Sequence, residues 1–495
     1  MVRIVPLFVL AAAIVASVAL TNAPLAFAHG RLAETYEVLW HPTDPDIIAI
    51  NTTIGLVVTR DGGETWRWVC RDALQVSATV DPPFLIAEDA YVGATFDGVV
   101  RGELDGCAWS FATPELERIV TIDLVRHPTQ VETLFALTSS GGDFVNLLYR
   151  SDDHGRTWAP TSEPIEPILF ERVRVAPSDP ARIYLSGSYP RTLEEPERRP
   201  FVHRSIDEGA SWASFAYPFR DGDRNIFLLG VDPNDPEVVY ARISREAERP
   251  ELDERLVRSS DGGETWEDLF EVADLRAFAF SEDARTIWVG GRGGEDGLIV
   301  DSGFLDGGVT IGKGRGLWRS VDGGEFEQVR DDLSIGCLYV RDGTLWACAW
   351  SFTDGFAVGY SNDEGATFTP FFDFFDMLGP VECEGEVPDT CSRQDFDINR
   401  DLMLNCDGGR CRGDAGVADA GGGMSGGGGC ACDLASPPSV GSWWALLFGA
   451  FVLLRRRTRS RRTTSVRYPA RHEELDLGFV ARRSRFGGLR RPNRG

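Results

Sequence analysis

Short apolar runs alternate with turns along most of the chain. The runs are rich in β-branched and aromatic residues, the turns are rich in Gly, Asp and Pro, and no long segment shows the 3.6-residue apolar period of a helix. Short runs bounded by turn residues are typical of β-strands. The pattern therefore predicts an all-β fold.

One kind of turn recurs at regular distances. Its clearest copy is RSSDGGETW at Arg258–Trp266, and we call each copy of the pattern S/T-x-D-x-G-x-T/S-W/F a turn box. The boxes begin at Thr59, Ser151, Ser205, Ser259, Ser320 (a damaged copy) and Ser361. The intervals between these positions are 92, 54, 54, 61 and 41 residues. The first interval is nearly twice as long as the others, so we expect a degenerate copy of the box within it. RGELDGCAW at Arg101–Trp109 fits that expectation.

A second motif supports a count of seven units. A turn followed by a short apolar run precedes each box, as in HPTDPDIIAI from His41 and APSDPARIYLSG from Ala176. Units of roughly 40 to 60 residues, each with several short strands, are typical of propeller blades. We therefore predict a seven-bladed β-propeller over residues 29–380, in which blades stack around a central axis because one blade cannot bury both of its faces.

The turn boxes resemble the Asp-box, or BNR repeat, of sialidases, sortilin-type receptors and related propellers. The resemblance covers about 70% of the chain, from Arg31 to Pro380. It implies that each box is the hairpin between the third and fourth strands of a blade.

The chemistry of the box favours a structural role. The aspartate can accept hydrogen bonds from amides of its own turn, the glycine takes a positive φ, and the tryptophan packs between blades. The residues predicted to serve in this way are Asp61, Trp66, Asp153, Trp158, Asp207, Trp212, Asp261, Trp266, Asp322 and Asp363. The alternative is that these aspartates bind calcium or act in catalysis, which their separation into different blades argues against.

Ligand binding is expected on the face opposite the boxes, over the central channel. Three long loops predicted on that face are 188–201, 244–256 and 291–316. The first groups three arginines, Arg191, Arg198 and Arg199, which could hold a carboxylate or a sulfate. The alternative, which we favour, is a solvated loop whose arginines pair with the neighbouring glutamates.

No catalytic motif stands out. Sialidases of the repeat family carry three arginines, a tyrosine nucleophile and an F/Y-R-I-P motif, and this motif is absent. Xyloglucan-cleaving endoglucanases also have Asp-boxes, but they use two propellers with a carboxylate pair between them. P-loop and HExxH motifs are absent as well. We therefore assign no catalytic residue and no cofactor.

The chain also resembles the WD40/YVTN/BNR-like group, whose members act as binding or assembly scaffolds. This resemblance implies a non-catalytic scaffold for a protein or a glycan, and we expect a monomer. The alternative is a glycoside hydrolase or lyase acting from the loops over the channel, and a purely structural surface protein is a third possibility.

The charge distribution argues against nucleic acid as a partner. The formal net charge is −26, and the 14 arginines and three acids from Arg455 onward contribute +11, so the remainder carries −26 − 11 = −37. A surface this acidic repels phosphate backbones.

Ten cysteines in an exported chain favour disulfides. The turn Asp342-Gly343 is a strong hairpin signal that sets Cys337 directly opposite Cys348, so we predict a disulfide between them. By elimination, Cys70 is predicted to pair with Cys107. Without a CxxC pair and with scattered histidines, the sequence predicts no metal site.

The first 28 residues predict a signal peptide. Arg3 supplies the positive charge, Ile4–Leu20 is apolar, and Ala26-Phe27-Ala28 gives the small residues before a cleavable bond. An uncleaved membrane anchor is the alternative. We expect export in either case.

Four segments follow the predicted propeller. They are a Cys-rich segment (381–412), a Gly-rich linker with a C-x-C motif (413–439), a short hydrophobic helix (440–454) and an Arg-rich tail (455–495). The order of C-x-C motif, hydrophobic helix and arginines resembles the myxobacterial C-terminal sorting signal, although such signals normally end at the arginines. The resemblance implies processing near Cys430 or Cys432 and retention at the cell surface. The alternative is an ordinary single-pass membrane anchor.

Overall fold

The computed structural model describes most of the region between residues 33 and 397. The described residues are 33–76, 81–139, 146–165, 169–189, 199–246, 252–292, 298–300, 309–311, 315–383, 387, 390–393, 396 and 397. Within them lie 31 strands and one short helix. Seven sheets of at least four strands form seven blades, so the predicted all-β, seven-bladed propeller is confirmed.

The first four blades are built from consecutive strands. Blade 1 contains β1 (Thr35–Trp40), β2 (Ile48–Thr52), β3 (Gly55–Thr59) and β4 (Trp66–Cys70). Blade 2 contains β5 (Phe84–Ile86), β6 (Ala90–Thr95), β7 (Gly98–Glu103) and β8 (Trp109–Phe111). Blade 3 contains β9 (Thr121–Arg126), β10 (Leu134–Thr138), β11 (Leu148–Ser151) and β12 (Ala159–Pro160). Blade 4 contains β13 (Leu169–Val175), β14 (Ile183–Tyr189), β15 (Arg199–Ser205) and β16 (Ala213–Ala216).

The other three blades follow the same plan with one insertion. Blade 5 contains β17 (Asp223–Val231), β18 (Val239–Arg245), β19 (Glu254–Ser259) and β20 (Glu267–Val272). Blade 6 contains β21 (Leu275–Phe280), β22 (Thr286–Arg292), β25 (Arg315–Val321) and β26 (Glu327–Arg330), with a separate hairpin of β23 (Leu298–Val300) and β24 (Val309–Ile311) inserted. Blade 7 contains β27 (Cys337–Arg341), β28 (Thr344–Cys348), helix α1 (Ser351–Asp354), β29 (Val358–Ser361) and β30 (Thr369–Phe372). A single 3-10 turn (Phe374–Asp376) and β31 (Met377–Pro380) complete the ordered elements.

The burial of each strand follows its place in the blade. The middle strands β2 and β3 are buried at every residue, whereas the fourth strand of blade 4, β16, is mostly exposed. Middle strands are covered on both faces by neighbouring blades, so their sequences are continuous apolar runs rather than alternating ones. The first strands of neighbouring blades contact each other, which places them around the central axis.

Ring closure does not use a shared blade. Every blade is complete in itself, and β31 instead adds a fifth strand to blade 1 by pairing parallel to β4. Met377 lies opposite Trp66, Pro380 lies opposite Trp68, and the Val381 amide donates to the Trp68 carbonyl at 3.0 Å. The segment that follows blade 7 is thereby fixed to the outer edge of blade 1.

Two disulfides reinforce this attachment and correct one prediction. Cys70 bonds to Cys391 and Cys107 bonds to Cys383, with Cα–Cα distances of 5.6 and 5.9 Å. The predicted Cys70–Cys107 bond is therefore wrong. The elimination assumed that propeller cysteines pair among themselves, whereas the segment after β31 packs on blade 1 and brings its own cysteines to both sulfurs.

The described part of the Cys-rich segment packs as part of blade 1. Val381, Val387, Cys391 and Phe396 are buried in the same apolar core as β4, and the Phe396 ring lies 5.7 Å from that of Trp68. We call residues 377–397, with their two disulfides, the clasp.

Several predicted features lie outside the described residues. These are the signal peptide, the linker with Cys430 and Cys432, the hydrophobic helix at 440–454 and the Arg-rich tail. In the part of the chain that the structure describes, no helix is both long enough and apolar enough to cross a membrane.

Candidate functional site

Five turn boxes close their own hairpins. At Asp261, Oδ1 accepts hydrogen bonds from the Ser259 hydroxyl and the Thr265 amide, both at 2.8 Å, and Oδ2 accepts one from the Thr265 hydroxyl at 2.5 Å. The same three bonds occur at Asp61, Asp153, Asp207 and Asp363. Because the turn engages both carboxylate oxygens, these aspartates tie the third and fourth strands of a blade together.

The hydrogen bonds also keep these carboxylates ionised. Bonds from Thr367 and Ser361 lower the pKa of Asp363 to about 2. An exposed carboxylate that accepts several hydrogen bonds is stabilised in its charged form.

Asp322 departs from the predicted pattern. Its oxygens accept hydrogen bonds from Arg285, at 2.7 and 2.8 Å, rather than from its own turn, and the Ser320 hydroxyl donates to the Gly324 carbonyl. The prediction that Asp322 closes its turn is therefore wrong. The box SVDGGEF lacks the threonine or serine that supplies two of the three donors in the intact copies.

The box tryptophans pack at blade boundaries. Trp66 and Trp158 are buried, whereas Trp212 and Trp266 are half-buried. The Trp66 ring lies 4.9 Å from that of Phe372 in blade 7, and the Trp266 ring lies 5.9 Å from that of Tyr217, which follows blade 4.

The strand order places the boxes and the channel mouth on opposite faces. In a four-stranded antiparallel blade, the start of the first strand and the link between the second and third strands lie at one end. The hairpin between the third and fourth strands, which carries the box, lies at the other end.

A basin of about 440 Å³ occupies the face opposite the boxes, and we call it the channel-mouth basin. All seven blades or the links leading into them line it. The lining residues are Tyr36, Glu37, Asn51, Asp81, Pro82, Pro83, Ala94, Phe96, Thr121, Ile122, Phe170, Glu171, Arg172, Arg242, Arg276 and Gly336. A smaller cavity of about 70 Å³ adjoins it and shares Tyr36, Arg276 and Gly336.

β-Bulges direct side chains into this basin. The register of β1, β9, β13 and β21 against its neighbour shifts by one residue near the start of the strand. The four residues left unpaired are Tyr36, Ile122, Glu171 and Arg276, and all four line the basin. A bulge turns a side chain away from the regular alternation of the strand, and bulges are common beside functional sites.

The basin has two chemically different sides. Blades 1 to 3 and their links supply the apolar groups Tyr36, Phe96, Ile122 and the Pro82-Pro83 pair. Phe96 is 44% exposed, which is unusual for a large aromatic side chain. Blades 4, 5 and 6 supply one arginine each, Arg172, Arg242 and Arg276.

One carboxylate of the basin is electrostatically distinctive. Burial raises the pKa of Glu37, while hydrogen bonds from the Asn51 side-chain amide (3.0 Å) and the Phe84 backbone amide (3.3 Å) favour its charged form. A carboxyl group with a raised pKa suits either proton transfer or binding of a polar ligand.

Of the three predicted loop arginines the structure describes Arg199, which is not among the residues that line the basin. Arg199 begins β15, and its guanidinium lies 4.5 Å from the centre of the Tyr189 ring. Arg191 and Arg198 lie outside the described residues, as does the middle of the loop that carries them.

Sequence reasoning missed the arginines of the basin, but a signal was present. Glu37, Asp123 and Arg172 each stand four residues before the turn motif that follows the first strand of their blade, at His41, His127 and Ala176. A charged residue at the same position of an apolar strand in three units is poorly explained by core packing. Aligning the units on that turn would have identified Glu37 and Arg172.

The chain is similar in sequence to two kinds of propeller protein. The sequence model of the Sortilin-Vps10 family (sortilin, neurotensin receptor 3) matches residues 106–296. An oligoxyloglucan reducing-end-specific xyloglucanase from Emericella nidulans is 27% identical over 216 residues, which is 42% of this chain and 25% of that enzyme. The chain thus spans about a quarter of the length of this curated relative.

Solved structures with similar architecture include two GH74 enzymes. An ancestral GH74 enzyme has 11% identity and a TM-score of 0.42, with 70% of this chain and 55% of that chain covered. The GH74 xyloglucanase from Xanthomonas campestris has 12% identity and a TM-score of 0.36, with 71% and 74% covered. At these identities and TM-scores no conclusion is drawn from the likeness, and the seven-bladed β-propeller rests on the seven sheets of the chain itself.

Proposed function

We propose that this chain is a non-catalytic binding propeller that holds a saccharide in its channel-mouth basin. The observation that carries the proposal is the convergence of bulged side chains from four blades on one basin. Its volume of about 440 Å³ lies in the range of small-molecule sites, which is roughly 300 to 1,000 Å³. Aromatic faces beside planar, multiply hydrogen-bonding groups suit the alternating C–H and hydroxyl surfaces of a sugar. The partial match to a saccharide-cleaving enzyme supports this ligand class.

The proposal includes export and attachment to the cell surface. The signal-peptide pattern at residues 1–28 and the three disulfides among the described residues support an oxidising compartment. In this proposal the Gly-rich linker gives the propeller reach, and the hydrophobic stretch at 440–454 holds it to the membrane.

A glycan array probed with the purified full-length chain tests the proposal, with calorimetry on any saccharide that binds. We expect Phe96→Ala to weaken binding about tenfold, because an exposed aromatic platform commonly contributes that much to affinity. Phe375→Ala is the matched control, since Phe375 is 40% exposed but lies outside the basin. Failure of every saccharide to bind, or equal effects of the two variants, would contradict the proposal.

A glycoside hydrolase acting from the same basin is the second candidate. Glu37, with its raised pKa, and Glu171 both line the basin, and a retaining or inverting mechanism needs an acid and a second carboxylate. Release of reducing ends from the bound saccharide would favour this candidate. Hydrolysis should then be lost in Glu37→Gln and Glu171→Gln while binding persists.

A further inference from the structure

The arginines of the channel-mouth basin differ in how they are neutralised. The Arg276 Nε lies 2.6 Å from Asp274 Oδ1, and the Arg242 Nε lies 3.6 Å from Glu254 Oε2. Asp274 and Glu254 are buried, so each forms a permanent counter-ion behind its arginine. Arg276 is thus closely paired, whereas the carboxylate behind Arg242 is too far from its Nε for a hydrogen bond.

Arg172 has no such adjacent counter-ion, although its charge acts on Glu37 of the same basin and opposes the rise in the pKa of that carboxyl. Among the residues that the structure describes, its guanidinium forms no ion pair, and its one hydrogen bond runs from Nη1 to the Glu171 carbonyl at 2.9 Å. The side chain is half-buried and lines the basin. A guanidinium has five N–H donors, so Arg172 retains donors for a ligand.

An aromatic ring holds Arg172 close to a second cation. The Phe227 ring centre lies 5.6 Å from Arg172 Cζ and 5.0 Å from Arg242 Cζ. Both guanidinium groups are thus fixed by contact with one ring, which limits the entropy lost when they bind a ligand. The Arg242 Nε is buried without a hydrogen-bond partner.

The electrostatics of the pair favour an anion between them. Burial lowers the pKa of Arg242, the charges of Glu254 and Asp274 oppose that shift, and the charges of Arg276 and Arg172 add to it. Two cations held together in a partly buried site repel each other, and an anion placed against both would relieve that repulsion.

From this arrangement we infer that the saccharide bound in the basin carries an anionic group, a carboxylate or a sulfate, which binds Arg172 with Arg242 beside it. Arginine forms paired hydrogen bonds with both groups. The sugar ring that carries the group would extend toward Phe96 and Tyr36 on the apolar side. The inference rests on the proposed function, because it assigns the chemistry of the ligand to the same basin.

The experiment measures affinity by calorimetry with the full-length chain and four probes. The probes are an oligogalacturonate, its methyl ester, a carrageenan oligosaccharide that carries sulfate but no carboxylate, and a neutral xyloglucan oligosaccharide. We expect the oligogalacturonate or the sulfated probe to bind at least about tenfold more tightly than the two uncharged probes. A preference for one over the other identifies the anionic group as carboxylate or sulfate.

Two variants test whether Arg172 is the residue that binds the anionic group. Arg172→Gln should remove about tenfold of the affinity for the anionic probe and leave the affinity for the uncharged probes unchanged. Arg60→Gln removes the same charge at an exposed position in the turn box of blade 1, on the opposite face and outside the basin lining, and should change neither affinity. An unchanged melting temperature would show that both variants are folded.

The remaining outcomes distinguish failure of the anionic-ligand inference from failure of the proposed saccharide binding. Equal binding of charged and uncharged probes, or an equal loss for all probes in Arg172→Gln, would overturn the anionic ligand and leave saccharide binding standing. Failure of all four probes, together with an empty glycan array, would remove the proposed function and the inference with it.

Discussion

At the scale of single residues, polar side chains close turns within blades and connect neighbouring blades of this propeller. The Nδ1 of His41 accepts hydrogen bonds from the Thr43 and Asp44 amides, at 3.2 and 2.9 Å, and its Nε2 lies 2.7 Å from the Glu88 carbonyl of blade 2. One imidazole therefore caps a turn in its own blade and contacts the next blade.

His203 makes stability sensitive to acid. The side chain is 1% exposed, stacks beside Phe201 and lies 2.6 Å from the Ser214 hydroxyl, and burial lowers its pKa to about 4. In the unfolded chain the pKa is about 6.5. The unfolded state thus binds a proton first as the pH falls. The stabilisation is complete above about pH 6.5 and is lost progressively toward pH 4, with a loss of about 3 kcal/mol.

The substitution His203→Phe should flatten this pH dependence. We expect the difference in free energy of unfolding between pH 7 and pH 4.5, measured by urea denaturation, to shrink relative to wild type. Ser214→Ala breaks the hydrogen bond but keeps the imidazole, so it should preserve the dependence. An unaltered pH profile in His203→Phe would assign the acid sensitivity to other groups.

At the scale of strands and hairpins, local patterns were predictive and distant ones were not. The register set by Asp342-Gly343 is the observed one, both residues have positive φ as a two-residue hairpin turn requires, and a disulfide joins Cys337 to Cys348. The turn chemistry alone contains that information. Cys70 and Cys391 are 321 positions apart, and their contact depends on closure of the whole ring.

The two kinds of disulfide should differ in their contribution to stability. Cross-linking a longer loop removes more entropy from the unfolded chain. With Cys107–Cys383 intact, Cys70–Cys391 closes a loop of (107 − 70) + (391 − 383) = 45 residues and should contribute about 4 kcal/mol, against about 3 kcal/mol for Cys337–Cys348. We therefore expect Cys391→Ser with Cys70→Ser to lower the melting temperature more than Cys337→Ser with Cys348→Ser. The opposite order would mean that the clasp adds little to ring stability.

At the scale of the whole molecule, the repeated units made the fold predictable from the sequence. The site was not predictable in this way, because its residues come from different blades. Seven similar units, each with a hairpin box and a turn motif, predict seven blades because each unit reports the same local structure. The channel-mouth basin combines single residues from blades that are far apart in sequence, as Tyr36 and Arg276 illustrate. The bulges that direct them into the basin leave no turn signal of their own, so the apolar pattern alone did not identify them.

The seam between blades 7 and 1 should be where the ring opens first. Because all seven blades are complete, this seam is held by side-chain packing, chiefly Trp66 against Phe371 and Phe372, and by the clasp. Trp66 is 1% exposed, so Trp66→Ala should cost about 3 to 5 kcal/mol of unfolding free energy.

Trp266→Ala is the matched control, because Trp266 occupies the same box position at an interior boundary and is only half-buried. Trp266→Ala should lower the free energy of unfolding by less than Trp66→Ala does. Hydrogen exchange followed by mass spectrometry distinguishes the two sites. Trp66→Ala should speed exchange in β1 and β27 before the other first strands, since only there does ring closure depend on contacts between the two ends of the propeller. Trp266→Ala should instead speed exchange around β16 and β20. Uniform acceleration in both variants would show that the ring unfolds as one cooperative unit with no preferred point of opening.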